Sequence, residues 1–182
     1  GKFFNSGQSC MAPNHIFVEK IIEDELIKEL KNTIIEFYGK DPIQSENLSR
    51  LEEKQFYRTL ELLKKNKYKK KIIWGGNSDK RFLKIEPTLL KITNENDWLI
   101  KNELFSSMLP IFSIENYKEA IKIIKKNSKP LAIYLFGGNN EIHKILSKTT
   151  SSGSICINDV MLPVLIPNLP FGGVGNSGMG KF

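Results

Sequence analysis

The chain has 182 residues, 40% of them hydrophobic, which is enough for one globular domain with a sizeable core. No apolar run approaches the roughly 20 residues of a membrane-spanning helix, and the first residues lack the charged-then-apolar order of a signal peptide. The two cysteines stand in different surroundings and predict no disulfide framework, so we expect a cytoplasmic protein without a membrane span.

A net charge of +7 raises the question of a nucleic-acid partner. The densest basic run is residues 64–71, which contains Tyr68 and is followed by Trp74, and bases can stack on aromatic side chains between lysines. Lysine is nevertheless spread along the whole chain, and most charge runs are solvated faces or loops. We therefore predict no nucleic-acid partner and keep a basic nucleic-acid-binding module as an alternative.

Two helices are predicted in the first third of the chain, after a short buried strand at residues 15–18. Residues 21–38 carry apolar side chains at helical spacing, with acidic residues early and lysines later, an order that suits the helix dipole. Gly39 supplies a left-handed stop. The second helix is predicted at residues 51–63, and its lysine-rich end runs into the basic segment.

The rest of the chain alternates between extended and helical patterns. Strands are predicted at residues 72–74, 82–92 with an interruption at Glu86-Pro87, 108–114, 131–136 and 154–157. Helices are predicted from the capping-box pair Asn116 and Glu119 to about residue 127, and at residues 141–148. The alternation over residues 108–157 predicts right-handed crossovers and an α/β fold, with a mostly parallel sheet covered by helices on both faces in three layers.

Cys10 is the candidate nucleophile. Its neighbours Ser6, Gly7 and Ser9 are small or polar residues that let backbone amides approach a sulfur atom and let a substrate reach it. Cys156 has isoleucine on either side, which is the setting of an inert buried thiol.

A second nucleophilic arrangement would pair Cys10 with His15, and such a dyad would make the chain a cysteine hydrolase. The only other histidine is His143. No group of thiols, imidazoles or carboxylates has the spacing of metal ligands, so we predict no metal site.

Residues 173–178 satisfy the three-glycine pattern of a dinucleotide-binding turn. That fingerprint follows a strand, opens a helix and needs an acidic residue about 20 positions later. Here it follows a proline-rich loop at residues 163–170, and the sequence ends at Phe182. We therefore predict a glycine-rich turn near the active site rather than a pyrophosphate cradle.

Four segments resemble, in the same order, motifs of the aldehyde dehydrogenase superfamily. They are residues 5–10 (Asn-Ser-Gly-Gln-Ser-Cys), 102–105 (Asn-Glu-Leu-Phe), 152–159 and 170–180. Their order and their spread over nearly the whole chain set them apart from a chance match. The sequences of residues 37–39 and 176–180 are most similar to those of the class 3 branch.

The resemblance implies a role for each matching residue. Cys10 matches the family's catalytic cysteine, and Glu103 matches the glutamate that hydrogen-bonds the nicotinamide ribose. Phe105 matches an aromatic residue against that end of the cofactor, and Phe171 matches an aromatic residue of the substrate pocket.

The family's mechanism, carried over to this chain, begins with attack of the Cys10 thiolate on an aldehyde carbonyl, with a backbone amide at Cys10 helping to hold the oxyanion. The thiohemiacetal gives hydride to NAD or NADP, and a thioester is left for hydrolysis to the acid. The resemblance also implies a homo-oligomeric enzyme with a small-molecule aldehyde as substrate.

The chain departs from the family pattern near the cofactor motif, where Ser106-Ser107 replace Gly-Pro and Asn102 replaces an acid. The family's cofactor-binding domain, general-base glutamate and oxyanion asparagine all lie upstream of the cysteine. We therefore expect residues 1–182 to be a catalytic-domain fragment that lacks the N-terminal cofactor-binding domain and is inactive alone.

Overall fold

A computed structural model describes residues 1–180. Its contacts group the chain into two compact units, one of residues 2–115 and one of Gly1 together with the residues from Asn116 onward. This grouping does not decide whether residues 1–182 act as one catalytic domain, which stays a prediction.

Every predicted strand and helix is present, with ends that differ by no more than a few residues. The strands are β1 (Ile16–Glu19), β2 (Ile72–Trp74), β3 (Ser78–Asp79), β4 (Lys84–Ile85), β5 (Thr88–Ile92), β6 (Met108–Ile114), β7 (Ala132–Leu135) and β8 (Ser154–Ile157). The helices are α1 (Glu23–Tyr38), α2 (Glu53–Lys64), α3 (Asn66–Lys69), α4 (Trp98–Lys101), α5 (Tyr117–Lys126), α6 (Asn140–Thr149) and α7 (Leu162–Leu165).

Three single-turn helices and the strand β3 were not predicted, because elements this short show no apolar period. Helix α7 occupies part of the segment predicted as a proline-rich loop. Pro163 lies in its first turn, where the missing backbone N–H removes no helical hydrogen bond.

The first unit is built on a four-stranded sheet with the strand order β1-β6-β5-β2. The central strand β6 pairs in parallel with β1 and with β5, and β2 is antiparallel to β5. The predicted α/β class with a mostly parallel sheet is confirmed.

The core of the first unit lies between this sheet and α1. Val18 of β1, Leu89 of β5 and Ile111 of β6 pack with Ile34 of α1, and all four side chains are buried. Helix α1 ends before Gly39, as predicted; the φ of Gly39 is 77°, which favours glycine, but its ψ of −178° is extended rather than the left-handed helical conformation that the sequence predicted.

The second unit contains a two-stranded parallel sheet of β7 and β8. Its core is formed by Ile121 of α5, Ile133 of β7 and Leu146 of α6. The sequence predicted that the strands of residues 108–157 would share one parallel sheet. In the strand pairings of the described residues this is wrong, because β6 belongs to the four-stranded sheet while β7 and β8 pair with each other. Strand and helix alternation determines the direction of neighbouring strands but not which strands pair.

One buried ion pair joins the start of α1 to the sheet. Lys91 Nζ of β5 lies 2.8 Å from Glu23 Oε2, and the Glu23 side chain is buried. Burial by itself would raise the pKa of Glu23, but the hydrogen bond and charge of Lys91 outweigh it and lower the pKa below the usual value. The pair therefore contributes stability above the usual carboxylate pKa, and the contribution is lost as the pH falls through the folded-state pKa.

We predict that Lys91→Met lowers the free energy of unfolding at neutral pH by about 2 kcal/mol, because Glu23 stays buried without its cation. Urea unfolding checks this, and the difference from wild type should shrink in acid, where Glu23 is protonated. Lys28→Met is the matched control, since Lys28 is an exposed lysine of α1 that does not act on Glu23, and its substitution should change the free energy of unfolding by less than about 0.5 kcal/mol. Equal losses in both variants would contradict the prediction.

Candidate active site

Cys10 lies at the end of a strained turn, residues 4–10, which we call the nucleophile turn. Its first part, Phe4–Gly7, is a 3₁₀ turn in which Asn5, Ser6 and Gly7 have φ values of 48°, 55° and 78°. Such left-handed angles are uncommon outside glycine and cluster at functional sites. Cys10 is exposed and its thiol is free, so the predicted nucleophile is accessible.

Side chains of the nucleophile turn bind it to the segment that leads into α2. Ser6 Oγ donates to the carbonyl of Ser49. Gln8 Nε2 donates to the carbonyl of Arg50 at 3.1 Å, and Gln8 Oε1 accepts from the Glu52 N–H at 2.7 Å. These bonds give the polar residues of the motif a structural role and satisfy backbone groups outside regular secondary structure.

Gly7 brings the nucleophile turn against the predicted cofactor segment. A Cβ atom on Gly7 would lie 2.1 Å from the carbonyl oxygen of Ser106, a separation that real Cβ atoms do not show. Only glycine permits this approach, and only glycine adopts a φ of +78° without strain. This contact therefore brings the turn that carries Cys10 against the cofactor segment.

The cofactor segment, residues 102–107, is held by two side chains that sequence reasoning missed. Asn14 donates from Nδ2 to the Asn102 carbonyl at 2.9 Å and accepts at Oδ1 from the Leu104 N–H at 2.8 Å. Arg58 of α2 donates to the carbonyls of Glu103 at 2.8 Å and Leu104 at 3.1 Å. No periodic pattern marks either residue, because each bonds backbone atoms far away in the sequence.

These bonds leave Glu103 and Phe105 in different environments. The Glu103 side chain is exposed, while Phe105 is half-buried and has a φ of 49°. Cys10, Glu103 and Phe105 all belong to the first unit. An exposed carboxylate beside an aromatic ring fits a ribose hydroxyl and the adjacent flat ring of a nicotinamide nucleotide.

The backbone accommodates the departures from the family pattern, although the buried Ser107 hydroxyl has no hydrogen-bond partner among the described residues. Ser106 and Ser107 are both buried, and neither has a positive φ, so their backbone conformation does not demand glycine. The Ser107 carbonyl accepts from the Thr88 N–H at 2.8 Å, which ties the segment to the start of β5. Asn102 Nδ2 donates to the Trp98 carbonyl at 3.0 Å and closes the end of α4.

His15 is half-buried, and its contacts are with Phe17 and Asn14. Its ring meets Phe17 edge to face at 4.8 Å, and its Nδ1 lies 3.4 Å from Asn14 Nδ2. Burial, together with the charge of Lys2, lowers the pKa of His15 to about 4, so the ring is neutral at pH 7. These contacts give no support to a Cys10–His15 hydrolase.

The two aromatic residues near the basic run do not present a stacking surface. Tyr68 is 2% exposed, and its hydroxyl donates to Asp97 Oδ1. The Asp97 carboxylate also forms an ion pair with Lys71, at 2.8 Å. Trp74 packs against the core of the first unit. The absence of a nucleic-acid partner stays a prediction, and this packing removes the platform that the alternative needs.

The glycine-rich segment folds into a closed turn in the second unit. Ser177 Oγ accepts from the Val174 N–H at 2.8 Å, and a Cβ atom on Gly173 would lie 2.2 Å from the Ser177 carbonyl oxygen. Gly153 approaches the backbone of Gly172 equally closely. Backbone N–H groups that donate to acceptors inside the turn are not free to bind a pyrophosphate. The structure therefore agrees with the predicted glycine-rich turn.

Phe171 precedes this turn and is half-buried within the second unit. The matching family residue lines the substrate pocket, and that role stays a prediction for Phe171.

Residues 1–180 contain no group of three or more histidine, cysteine or carboxylate side chains that could hold a metal ion. None of the helices in this range is long and apolar enough to cross a membrane.

Comparison with known proteins agrees with the fold and with the predicted family resemblance. The aldehyde dehydrogenase family model matches residues 1–182. The chain is 39% identical to the dimeric NADP-preferring aldehyde dehydrogenase of Mus musculus, over 100% of this chain and 40% of that protein. It is 37% identical to aldehyde dehydrogenase family 3 member A2 of Rattus norvegicus, over 100% of this chain and 37% of that protein.

Among solved structures, the substrate-bound state of AldH from Staphylococcus aureus is similar to this chain. It has a TM-score of 0.94 and 38% identity, over 100% of this chain and 39% of that one. The chain belongs to the aldehyde dehydrogenase family, and the predicted likeness to the class 3 branch is confirmed. It spans about 40% of the length of the curated relatives it matches.

We predict that Gly7→Ala destabilises the first unit by about 3 kcal/mol or more, because the new methyl group clashes with the Ser106 carbonyl and the backbone is strained. Gly39→Ala is a matched control. Gly39 has nearly the same φ of +77°, with nothing within 4 Å of the added atom, so Gly39→Ala adds backbone strain of about 1–3 kcal/mol but no clash, and it should lose less stability than Gly7→Ala. Urea unfolding measures the free energy of unfolding of both variants. Equal losses would show that the close approach of Gly7 to the Ser106 carbonyl does not affect stability.

We predict that iodoacetamide labels Cys10 of the folded chain at least about 100 times faster than Cys156. Cys156 is 8% exposed in β8, and burial raises the pKa of its thiol, so it reacts only after local opening. Mass spectrometry of peptides from timed reactions gives both rates, and urea should bring them together. Preferential labelling of Cys156 in the folded protein would refute the choice of Cys10 as the reactive thiol.

Proposed function

We propose that the protein containing this chain is an NAD(P)-dependent aldehyde dehydrogenase that oxidises a small-molecule aldehyde to the carboxylic acid, with Cys10 as its nucleophile. The observation that carries the proposal is the contact of Gly7 with the Ser106 carbonyl, which places the turn bearing an accessible thiol against the cofactor segment.

The chemistry assigned to Cys10 follows from the properties of a thiolate. Its sulfur attacks the aldehyde carbonyl carbon, and the carbonyl oxygen becomes an oxyanion that backbone amides near Cys10 stabilise. The tetrahedral adduct carries the hydrogen that is transferred as hydride, and NAD(P), when bound, supplies the acceptor for that hydride. Loss of hydride leaves a thioester on Cys10, and water releases the acid and restores the thiol.

Glu103 and Phe105 are proposed to bind the nicotinamide end of the cofactor. The exposed Glu103 carboxylate accepts hydrogen bonds from ribose hydroxyls, and Phe105 offers an aromatic surface. Asn14 and Arg58 keep both residues in place through the backbone of the segment. The nicotinamide ribose is common to NAD and NADP, so the proposal covers both, and the Mus musculus relative is named NADP-preferring.

The division of labour within the complete enzyme is also a proposal. Residues 1–182 supply the thiol and the contacts at the nicotinamide end, and other residues supply the deacylating base and most of the cofactor-binding energy. The chain's coverage of about 40% of its relatives is the support. We expect the 182-residue chain alone to be labelled at Cys10 yet to show no turnover of aldehyde.

Assembly and location follow the relatives and the composition. We propose a homo-oligomer, because the Mus musculus relative is named dimeric. The cytoplasmic location expected from the cysteines stays a proposal as well. Phe171 is proposed to line the substrate pocket.

The decisive test is substitution of the nucleophile in the full-length protein. Cys10→Ala should lower kcat for aldehyde oxidation at least about 1,000-fold while cofactor binding is retained, because alanine has no nucleophile for the covalent step. Cys156→Ala is the matched control and should keep kcat within a few-fold. Reduced cofactor is followed by absorbance, and undiminished production by Cys10→Ala would overturn the proposal.

A further inference from the structure

An open cavity lies between α2, α3 and α4 of the first unit, and the proposed mechanism does not use it. Its volume is about 410 Å³, within the roughly 300–1,000 Å³ of small-molecule sites. Arg58, Glu61 and Leu62, at helical spacing on one face of α2, line it together with Tyr68 of α3 and Trp98 of α4. Three helices therefore form the walls of this space, which we call the α2 cavity.

Hydrogen bonds hold α3 and α4 against each other. The Asp97 carboxylate, at the start of α4, accepts from the Tyr68 hydroxyl at 3.1 Å and pairs with Lys71 at 2.8 Å. It also caps α4, because it accepts from the Leu99 N–H at 3.1 Å. The backbone of Trp98, which lies between Asp97 and Leu99, is thereby fixed, and the α2 cavity is preformed.

The lining of the α2 cavity carries more positive than negative charge. Arg58, Lys65 and Lys67 are three cations, and Glu61 is the acid among the lining residues. Lys67 Nζ lies 4.6 Å from the centroid of the Tyr68 ring. Lys65 is exposed and forms no ion pair within residues 1–180, so its charge is available to a ligand. This balance favours an anion.

Arg58 and Trp98 form the fixed part of the lining. Arg58 donates to the carbonyls of Glu103 at 2.8 Å and Leu104 at 3.1 Å, so its guanidinium group is held in place. The guanidinium carbon lies 5.5 Å from the centroid of the Trp98 ring, and Trp98 is 37% exposed. The exposed part of the ring can stack on a flat ligand, while the cation beside it attracts an anionic group on that ligand.

The rest of the lining is largely apolar. Leu62 and Tyr68 are buried side chains, and both border the α2 cavity. Apolar surface favours a ligand with a hydrophobic body over a fully hydrated ion such as inorganic phosphate. The cavity therefore combines a surface for a ring with cations for its charge.

We propose that the α2 cavity binds a flat aromatic anion, that is, a ring system bearing a carboxylate or a phosphate group. The ring stacks on Trp98, and the anionic group pairs with Arg58 and Lys65. The inference is independent of the proposed function, because it uses neither the Cys10 thiol nor the Glu103 carboxylate.

The experiment titrates the full-length protein at neutral pH with three compounds that share one ring system: 2-naphthoate, 2-naphthyl phosphate and uncharged 2-naphthol. Ligand-observed NMR gives the dissociation constants. At least one of the two anions should bind with a dissociation constant below about 1 mM, and about tenfold more tightly than 2-naphthol. The ratio between the two anions shows whether the cavity prefers a carboxylate or a phosphate.

Substitutions in the lining locate the bound compound. Trp98→Leu should weaken binding of the preferred anion at least about tenfold, because stacking is lost. Lys65→Gln should weaken it about threefold, because an exposed ion pair is lost. Lys64→Gln is the matched control, since Lys64 is the exposed neighbour that does not line the cavity, and this variant should keep the wild-type affinity.

Three results would overturn the inference: no binding of either anion, equal affinity for 2-naphthol, or wild-type affinity in Trp98→Leu, since the compound would then bind elsewhere. If Trp98→Leu does not fold, equal affinities in Lys65→Gln and Lys64→Gln would overturn it as well. A single-stranded oligonucleotide that binds more tightly than both anions, and loses affinity in Trp98→Leu, would replace it with the nucleic-acid alternative. All of these outcomes leave the proposed function, which Cys10→Ala tests, unaffected.

Discussion

The close approach of Gly7 to the Ser106 carbonyl is the constraint on which the site depends. Ser106 belongs to a segment tied to β5 through the bond between Ser107 and Thr88, so the sheet positions the cofactor segment directly. The nucleophile turn is then positioned by that segment. Cys10 therefore owes its place to the central sheet, although it lies on no strand. Catalytic residues on loops need such support from a rigid scaffold.

Polar side chains hold the two irregular segments on either side of this contact. Gln8 bonds the backbone before α2, and Asn14 and Arg58 bond the backbone around Glu103. Each side chain satisfies peptide groups that have no partner in a helix or a strand, and an unsatisfied buried peptide group costs about as much as a lost hydrogen bond. Precision at the site thus comes from amide and guanidinium groups that take no part in the reaction.

Cations in this basic chain serve several structural purposes. Lys71 pairs with Asp97 below Tyr68, and Lys91 pairs with Glu23 at the start of α1. Lys2 is buried at the base of the nucleophile turn, where its charge, after burial, lowers the pKa of His15. The excess of lysine that first suggests a nucleic-acid partner therefore includes residues committed to the fold. Net charge describes a whole surface, whereas each of these effects depends on one local partner.

Local pattern was sufficient for much of this protein. Apolar periodicity located the strands and the long helices, the small polar neighbours of Cys10 marked an accessible thiol, and the isoleucines beside Cys156 marked a buried one. Only tertiary structure decided that β6 pairs with β1 and β5 while β7 pairs with β8, and that Asn14 and Arg58 hold the backbone around Glu103. The reason is physical: periodicity and composition report whether a residue faces water or the core, whereas these contacts join residues far apart in the sequence whose meeting depends on how the whole chain packs.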